Sequence, residues 1–490
     1  MVYIHFGPIG LGPDEAQYWT WSQQLDWGYY SKPPGIAWQI WLGTKFFGNT
    51  ELGVRFLSVI LSIFLSLSTY WLAIACGLMP LTAFWSGLAM ALVPVGMISS
   101  LFAITDVGMA LFWTLACIVV VSSIRRQDSP NYYLLGLLIA LGSLFKWPAY
   151  LFWAVIIVSA IFYRFLISKH IVGGIIISLL GLLPSLYWNI NHNWVTFRHV
   201  GATIISNEQS TAGGNFFDFL GAQAILLSPI LFILFLLAAA VLIFKRDKTI
   251  PNTVIFCGLS SFIILLGYCI AAIFKKMQGN WCDFIYPSAI VALSWYASEY
   301  IRKQGWLVGG IFLGLILSLF ALKIPTIQSH GYFSNYQIPY KWNPFRQNVG
   351  WGALSKILLE SGYNQKEEFL FGDKYQTSSI LSFYGPEQKR AYFLNLHKIR
   401  LNQFSFWAGM AEEQKGQTGY FVLTENSPHL EKDLEERVAF YKGALSQYFK
   451  SVEYKGVHSL FDSYGKMAKG ALIFRCEEYN GLEPIESKLY

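Results

Sequence analysis

Between Leu52 and Lys323 the chain alternates long apolar runs with short polar breaks, and no other feature limits its fold so tightly. Ten runs stand out: 52–76, 81–104, 107–124, 132–145, 149–165, 171–188, 219–244, 253–274, 284–300 and 306–323. A helix needs roughly 20 mostly apolar residues to cross a bilayer. The run at 132–145 is short for that, so it is expected to tilt into a bundle or to start earlier. Charged residues make up only 13% of the chain, against about 25% in an ordinary soluble domain. The fold class that follows is a polytopic α-helical membrane protein. The net charge of +7 is scattered. It gives no basic patch of the kind that binds nucleic acid.

Loop charge supplies an orientation. The basic breaks are Arg125–Arg126, 164–170, 245–248 and Arg302–Lys303, each separated from the next by an even number of runs. All four therefore share one face, which the positive-inside rule makes cytoplasmic. The other face receives the segment around Asp14, then Asp106, Lys146, the loop at 189–214, the loop at 275–283 and everything after Pro325. Asp106 is a single charge in a long apolar stretch. A carboxylate at the bilayer centre costs at least about 2.5–3.5 kcal/mol, so a turn is expected there. The same argument puts Lys146 at a turn. Each has a plainer reading as well: Asp106 as a helix cap, and Lys146 as a lysine snorkelling to the interface. His192 and His199 read as polar loop residues, because no carboxylate stands at metal-ligand spacing. The six cysteines form no C-x-x-C pair, which argues against a cysteine zinc site.

The chemistry is expected in 13–34, P-D-E-A-Q-Y-W-T-W-S-Q-Q-L-D-W-G-Y-Y-S-K-P-P. Asp14 and Glu15 open it, Tyr18, Trp19, Trp21, Trp27, Tyr29 and Tyr30 follow, and Lys32 closes it before two prolines. Trp and Tyr favour the membrane–water interface, so the segment reads as an interfacial loop acting on a charged lipid head group. The competing reading is an aromatic anchor with a solvated acid pair. Residues 1–13 lack a basic n-region, so no cleavable signal peptide is visible, and they are too short to cross a membrane.

After Lys323 charges return. Short strand-like runs at 369–371, 420–423 and 471–474 alternate with helix-like runs at 348–361 and 430–449, the pattern of a small α/β domain. The expected division is a membrane domain at 1–325, with a first outer loop at 9–50, and an extracytoplasmic α/β domain at 326–490. Two polar clusters mark the tail, G-D-K-Y-Q at 372–376 and R-L-N-Q at 400–403.

With these motifs in hand, the chain resembles the GT-C glycosyltransferases that use polyprenyl-phosphate sugars. These are the dolichyl-phosphate-mannose–protein mannosyltransferase-like proteins, a group that includes the lipid A aminoarabinose transferases. The resemblance rests on P-D-E-A-Q-Y-W at 13–19, L-D-W-G-Y-Y-S-K-P-P at 25–34 and G-V-R at 53–55. It continues through I-T-D at 104–106, F-K-W at 145–147, W-N-I-N-H-N-W at 188–194, G-A-Q-A-I-L-L-S-P at 221–229 and G-N-W at 279–281. The two tail clusters complete it. It implies a multi-pass protein of the bacterial inner membrane whose catalytic loop and C-terminal domain are periplasmic. It implies Asp14 as catalytic carboxylate with Glu15 beside it, Asp106 as a second acidic residue, and Lys32 as a ligand of the donor phosphate. Arg55 and Lys146 are further cations assigned to that phosphate. The expected donor is a polyprenyl-phosphate sugar and the acceptor a lipid, glycan or protein, with membrane lipids and no nucleic acid as other partners. Burial against Tyr18 and Trp19 is expected to raise the Asp14 pKa. The chain departs from the family twice. Family members begin with a transmembrane helix before the Asp-Glu loop, and none is seen here. Ser31 stands where the aminoarabinose transferases place a metal-site Glu, so no metal is carried over and no cofactor is assigned. The alternatives are a lipid-linked-sugar transporter or flippase, and an inactive relative acting as a scaffold.

Overall fold

The computed structural model describes residues 1–205, 214–245, 249–426 and 433–484. The expected loop at 189–214, the basic break at 245–248 and the helical run at 430–449 fall partly outside the described residues. The chain forms two compact units. One contains Met1–Ser31, Ile40–Val54 and Ala321–Tyr490; the other contains Lys32–Gln39 and Arg55–Phe320. The units therefore do not follow a single cut at residue 325.

In chain order, α1 (Pro13–Gln23), α2 (Gly35–Phe47) and α3 (Glu51–Ala75) come first, then α4 (Pro80–Leu92), α5 (Thr105–Arg126), α6 (Tyr132–Ser143) and α7 (Leu151–Phe162). They are followed by α8 (His170–Leu179), α9 (Leu183–Asn191), α10 (Phe216–Leu227), α11 (Pro229–Phe244), α12 (Asn252–Phe274), α13 (Tyr286–Trp295) and α14 (Gln304–His330). Among the described residues, four helices are long and apolar enough to cross a membrane: α3, α5, α12 and α14. At 1.5 Å per residue they are roughly 33 to 40 Å long, enough for a hydrocarbon core about 30 Å thick. This makes the chain a multi-pass membrane protein.

Ten long spans are not what forms. Proline breaks several of the apolar runs, because it has no N–H to continue a helix and fits best at a helix start. The run at 81–104 ends its first helix at Leu92, and a second short helix starts at Pro94. The run at 219–244 is two helices, α10 and α11, bent by 105°. At that corner Ser228 has φ 77°, and its hydroxyl donates to the Gly310 carbonyl at 2.8 Å. α8 and α9 are bent by 45°, so counting each bent pair as one span gives up to six. α6, at 12 residues, is one of three shorter apolar helices.

The core of this second unit lies where α13 passes. All ten of its residues are buried, the mark of a helix surrounded by other helices. Trp113 of α5 packs its ring on Phe152 and Phe284, with centroids 4.8 and 4.6 Å away. Small residues allow close helix approach. A Cβ on Gly136 of α6 would lie 2.1 Å from the Gly174 carbonyl oxygen of α8.

The first unit is built on a five-stranded sheet. Its strands are β1 (Glu368–Gly372), β2 (Tyr392–Phe393), β3 (Thr418–Asn426), β4 (Phe449–Ser463) and β5 (Lys466–Tyr479), in the order β2-β1-β3-β5-β4. β1 runs parallel to β2 and β3; β5 is antiparallel to β3 and β4. α15 (Tyr375–Tyr384) leaves β1, and α16 (Leu434–Leu445) precedes β4. Phe371, Phe421, Phe449, Phe474 and Tyr441 form the centre of its core. The β4–β5 hairpin turns on Tyr464 and Gly465, both at positive φ, the backbone that matches strand twist in a two-residue turn.

Gly350 lies close against β4. Its φ is +89°, and a Cβ there would lie 2.5 Å from the Leu460 carbonyl oxygen. Gly350→Ala is therefore expected to destabilise the protein by at least about 1 kcal/mol. A thermal or denaturant melt would read this as a lower midpoint.

Candidate active site

The candidate residues divide between the units. Asp14 and Glu15 belong to the first; Lys32, Arg55, Asp106 and Lys146 belong to the second.

In the first unit the site begins at the start of α1. Gly12 is the N-cap and Pro13 the first helical residue. The two acids that follow have separate surroundings. Glu15 is buried, and its carboxylate accepts the Gly12 N–H at 3.0 Å. That is one half of a capping box. Asp14 is exposed. Its expected burial against Tyr18 and Trp19 is not found: those rings turn into the unit, and Asp14, one residue earlier than the capping Glu15, turns outward.

The aromatic belt is also corrected. Trp19, Trp21, Tyr29 and Tyr30 are at most 2% exposed, and only Trp27 among the six rings is well exposed. Trp21 stacks on Tyr29 at 4.6 Å, Trp19 meets the Phe383 edge at 5.0 Å, and the Trp19 indole N–H donates to Asn49 at 3.1 Å. These rings are core of the first unit rather than an interfacial belt, since their partners arrive from the distant sheet domain and from 40–54.

The two polar clusters of the tail come to the 13–34 segment. The Tyr375 hydroxyl is hydrogen-bonded to Arg400 and lies in the field of Asp14. Burial raises its pKa first, the Asp14 charge adds to this, and Arg400 opposes it. Gln403 accepts the Tyr30 N–H at 2.7 Å. Asp14 thus lies within electrostatic reach of the Tyr375 phenol, which is bonded to the Arg400 guanidinium. The two clusters were visible in the sequence, but their pairing was not.

A capping role for Glu15 has a measurable consequence. Gln accepts the same hydrogen bond, so Glu15→Gln is expected to leave stability and turnover near wild type. Glu15→Ala is expected to cost about 1 kcal/mol. A kcat for Glu15→Gln more than tenfold down would make Glu15 part of the chemistry instead.

In the second unit Asp106 and Lys146 are brought together. Asp106 lies in the first turn of α5, and Lys146 lies between α6 and α7. Their side chains, 9% and 14% exposed, form an ion pair at 2.6 Å. Asn280 donates to the other Asp106 oxygen at 3.5 Å. Asp283 completes the cluster. It is buried, and its Oδ1 has no hydrogen-bond partner among the described residues. Burial lifts its carboxyl well above the usual range; Asp106 adds to the rise and Lys146 opposes it. Asn280 and Asp283 were missed as site residues, though the G-N-W motif and the loop at 275–283 marked their segment.

Lys32 belongs to a segment that docks on the Lys146 turn. The Gly35 N–H donates to the Leu144 carbonyl at 2.8 Å, and a Cβ on Gly35 would lie 2.6 Å from that oxygen. Arg55 is 1% exposed, with its guanidinium 5.0 Å from the centre of the Phe102 ring, just before α5. His192 stacks on Trp188 at 4.0 Å and bonds its carbonyl at 2.8 Å. Among the described residues no three His, Cys, Asp or Glu side chains are grouped to hold a metal ion.

A groove of about 920 Å³ runs along the same unit between α7, the end of α11 and α12. Val155, Phe162, Ile255, Leu259 and Ile263 line it, and it ends at Tyr268 and Met277. Tyr268 lies within electrostatic reach of Asp106.

Comparison with known proteins agrees with this architecture. The profile of the dolichyl-phosphate-mannose-protein mannosyltransferase family matches residues 31–188. The lipid A galacturonosyltransferase RgtD of Rhizobium johnstonii is 28% identical over 303 residues, 60% of this chain. The chain spans 62% of that relative's length. The crystal structure of ArnT from Cupriavidus metallidurans superposes with a TM-score of 0.61 at 14% identity, covering 96% of this chain and 95% of that one. The same protein bound to undecaprenyl phosphate gives the same score at 13% identity.

Proposed function

Taking the chain as a multi-pass membrane protein of the GT-C fold, we propose that it transfers a sugar from a polyprenyl-phosphate donor to a lipid acceptor. The observation that carries this reading is the groove of the second unit. It is apolar along the helices and ends at Tyr268, within electrostatic reach of Asp106. A molecule with a long apolar tail matches its walls. The ArnT structure bound to undecaprenyl phosphate and the lipid A transferase RgtD support donor and acceptor of these classes.

In the proposed reaction an acceptor hydroxyl oxygen attacks the anomeric carbon of the donor sugar. The bond from that carbon to the phosphate oxygen breaks, and polyprenyl phosphate leaves. Positive charge grows on the sugar at the transition state. Asp14 removes the hydroxyl proton as general base. The single displacement inverts the anomeric centre. Lys32 offsets the charge of the departing phosphate, with Arg55 as a second cation. Asp106, held by Lys146, orients the reacting sugar. The reaction takes place on the periplasmic face of the inner membrane.

The test is label transfer in membranes carrying the chain, using radiolabelled polyprenyl-phosphate sugars. Label moving into a lipid fraction with wild type, and not with Asp14→Asn, is the expected result. Label that crosses the membrane while still attached to its polyprenyl carrier would instead make the chain a transporter. No transfer from any donor by an inserted protein would remove the enzymatic reading.

A further inference from the structure

The first unit contains a cavity of about 540 Å³. Pro13, Trp351, Lys374, Gln376, Thr377 and Lys469 line it. Pro13 is the residue before Asp14, so the cavity opens beside the start of α1. We infer that this cavity binds an anionic sugar, a pyranose bearing a phosphate or carboxylate, and that it seats the acceptor head group next to Asp14. The assignment to the acceptor rests on the proposed transferase reading; the binding site itself does not.

Charge is the first argument. Arg437 and Glu425 also border the cavity, but they form an ion pair with each other. That leaves the ammoniums of Lys374 and Lys469, neither of which has a carboxylate partner among the described residues. Lys469 is 3% exposed. Its ammonium donates to the Val349 carbonyl at 2.9 Å and lies 3.9 Å from the centre of the Trp351 ring. A lysine this buried normally has a counter-charge. An anion in the cavity would supply one.

The remaining lining suits a sugar. The Trp351 ring offers an apolar face, and Gln376 and Thr377 offer side chains that both donate and accept. Pockets for small ligands combine an apolar wall with a few placed polar groups in this way. Gly350, at positive φ, sets the turn that carries Trp351 beneath Lys469.

Titration gives a signature. Burial lowers the Lys469 pKa to about 7. The charged groups facing it across the cavity are Lys374, Glu425 of β3 and Arg437 of α16. On β4 its cross-strand partner is Phe461, which is followed by Asp462, bonded to the Ser459 hydroxyl at 2.6 Å. A bound anion favours the charged ammonium and raises that pKa. Binding near neutral pH must therefore take up a proton, and affinity must strengthen as pH falls through about 7.

The experiment is calorimetry on the full chain in nanodiscs, without donor. The probe is glucosamine 1-phosphate, and glucosamine is the control. The expected result is binding of the phosphate and none of the control. Lys374→Ala and Lys469→Met should each weaken binding at least tenfold. Proton uptake, measured in buffers of different ionisation enthalpy, should persist in Lys374→Ala and disappear in Lys469→Met. Comparing with the phosphate's own titration in the Lys469→Met variant isolates the lysine. A second arm presents the same head group on a lipid in vesicles; tighter capture there assigns the site to a membrane acceptor, and equal capture to a free sugar phosphate. No binding at about 10 mM probe would overturn the inference. So would equal binding by wild type and the double variant, both shown folded by their melts. Binding that survives while label transfer fails would remove the transferase reading and leave the anionic-sugar site standing.

Discussion

Asp14→Asn is expected to lower sugar transfer by about 10²–10⁴-fold, the range for loss of a general base, with insertion and melting nearly unchanged. The substitution keeps the shape and removes the proton acceptor. Asp14 is exposed at the second position of α1, so little packing depends on it. A carboxylate at a helix start is worth about 0.3–1 kcal/mol through the helix dipole, too little to unfold the unit. The capping hydrogen bond belongs to Glu15 and survives. Initial rates with a fixed polyprenyl-phosphate sugar, set beside a melt of the same preparation, separate the two effects. Transfer within threefold of wild type would remove Asp14 from the chemistry. Tyr375, within electrostatic reach of Asp14, and its partner Arg400 would then be the groups to substitute next.

The membrane character of the chain is legible because it depends on composition over long windows, where a few misplaced boundaries cancel. The turns at Asp106 and Lys146 are legible for a sharper reason: a single charge in an apolar run has few inexpensive positions. Both residues do lie at helix ends. Their pairing is not legible, because they come from different turns and are joined only by how α5 packs on α6. The core strands β1, β3 and β5 announce themselves as Phe369–Phe371, Tyr420–Leu423 and Ala471–Phe474. β4 does not, since Lys450, Glu453, Lys455, His458 and Asp462 give its sequence a polar look. The segment at 13–34 misleads in another way. A tryptophan at a membrane interface and one packed in a core have the same sequence signature. The difference here lies in partners more than three hundred positions away, Phe383 for Trp19 and Gln403 for Tyr30.

The second large effect concerns Lys146, which in this structure holds Asp106 before it can act on any phosphate. Lys146→Met is expected to destabilise the protein by about 3–5 kcal/mol, the cost of removing one partner from a buried ion pair. The pair is only 14% and 9% exposed, so solvent screening relieves little of this. Asp283 offers no relief: it is buried beside Asp106 and supplies no cation to replace the lysine. Methionine fills a similar volume, so the effect reads as charge rather than cavity. The double variant Lys146→Met/Asp106→Asn removes both charges and should recover most of the midpoint, because replacing a whole buried pair is often close to neutral. Transfer should recover much less, since the proposed sugar-orienting carboxylate is then gone. A double variant that melts as low as Lys146→Met would mean that the lysine acts through packing. A single variant that melts like wild type would mean that water reaches Asp106 and that its charge needs no partner. Recovery of both stability and transfer in the double variant would leave the ion pair as scaffold and return the chemistry of the second unit to Lys32 and Arg55.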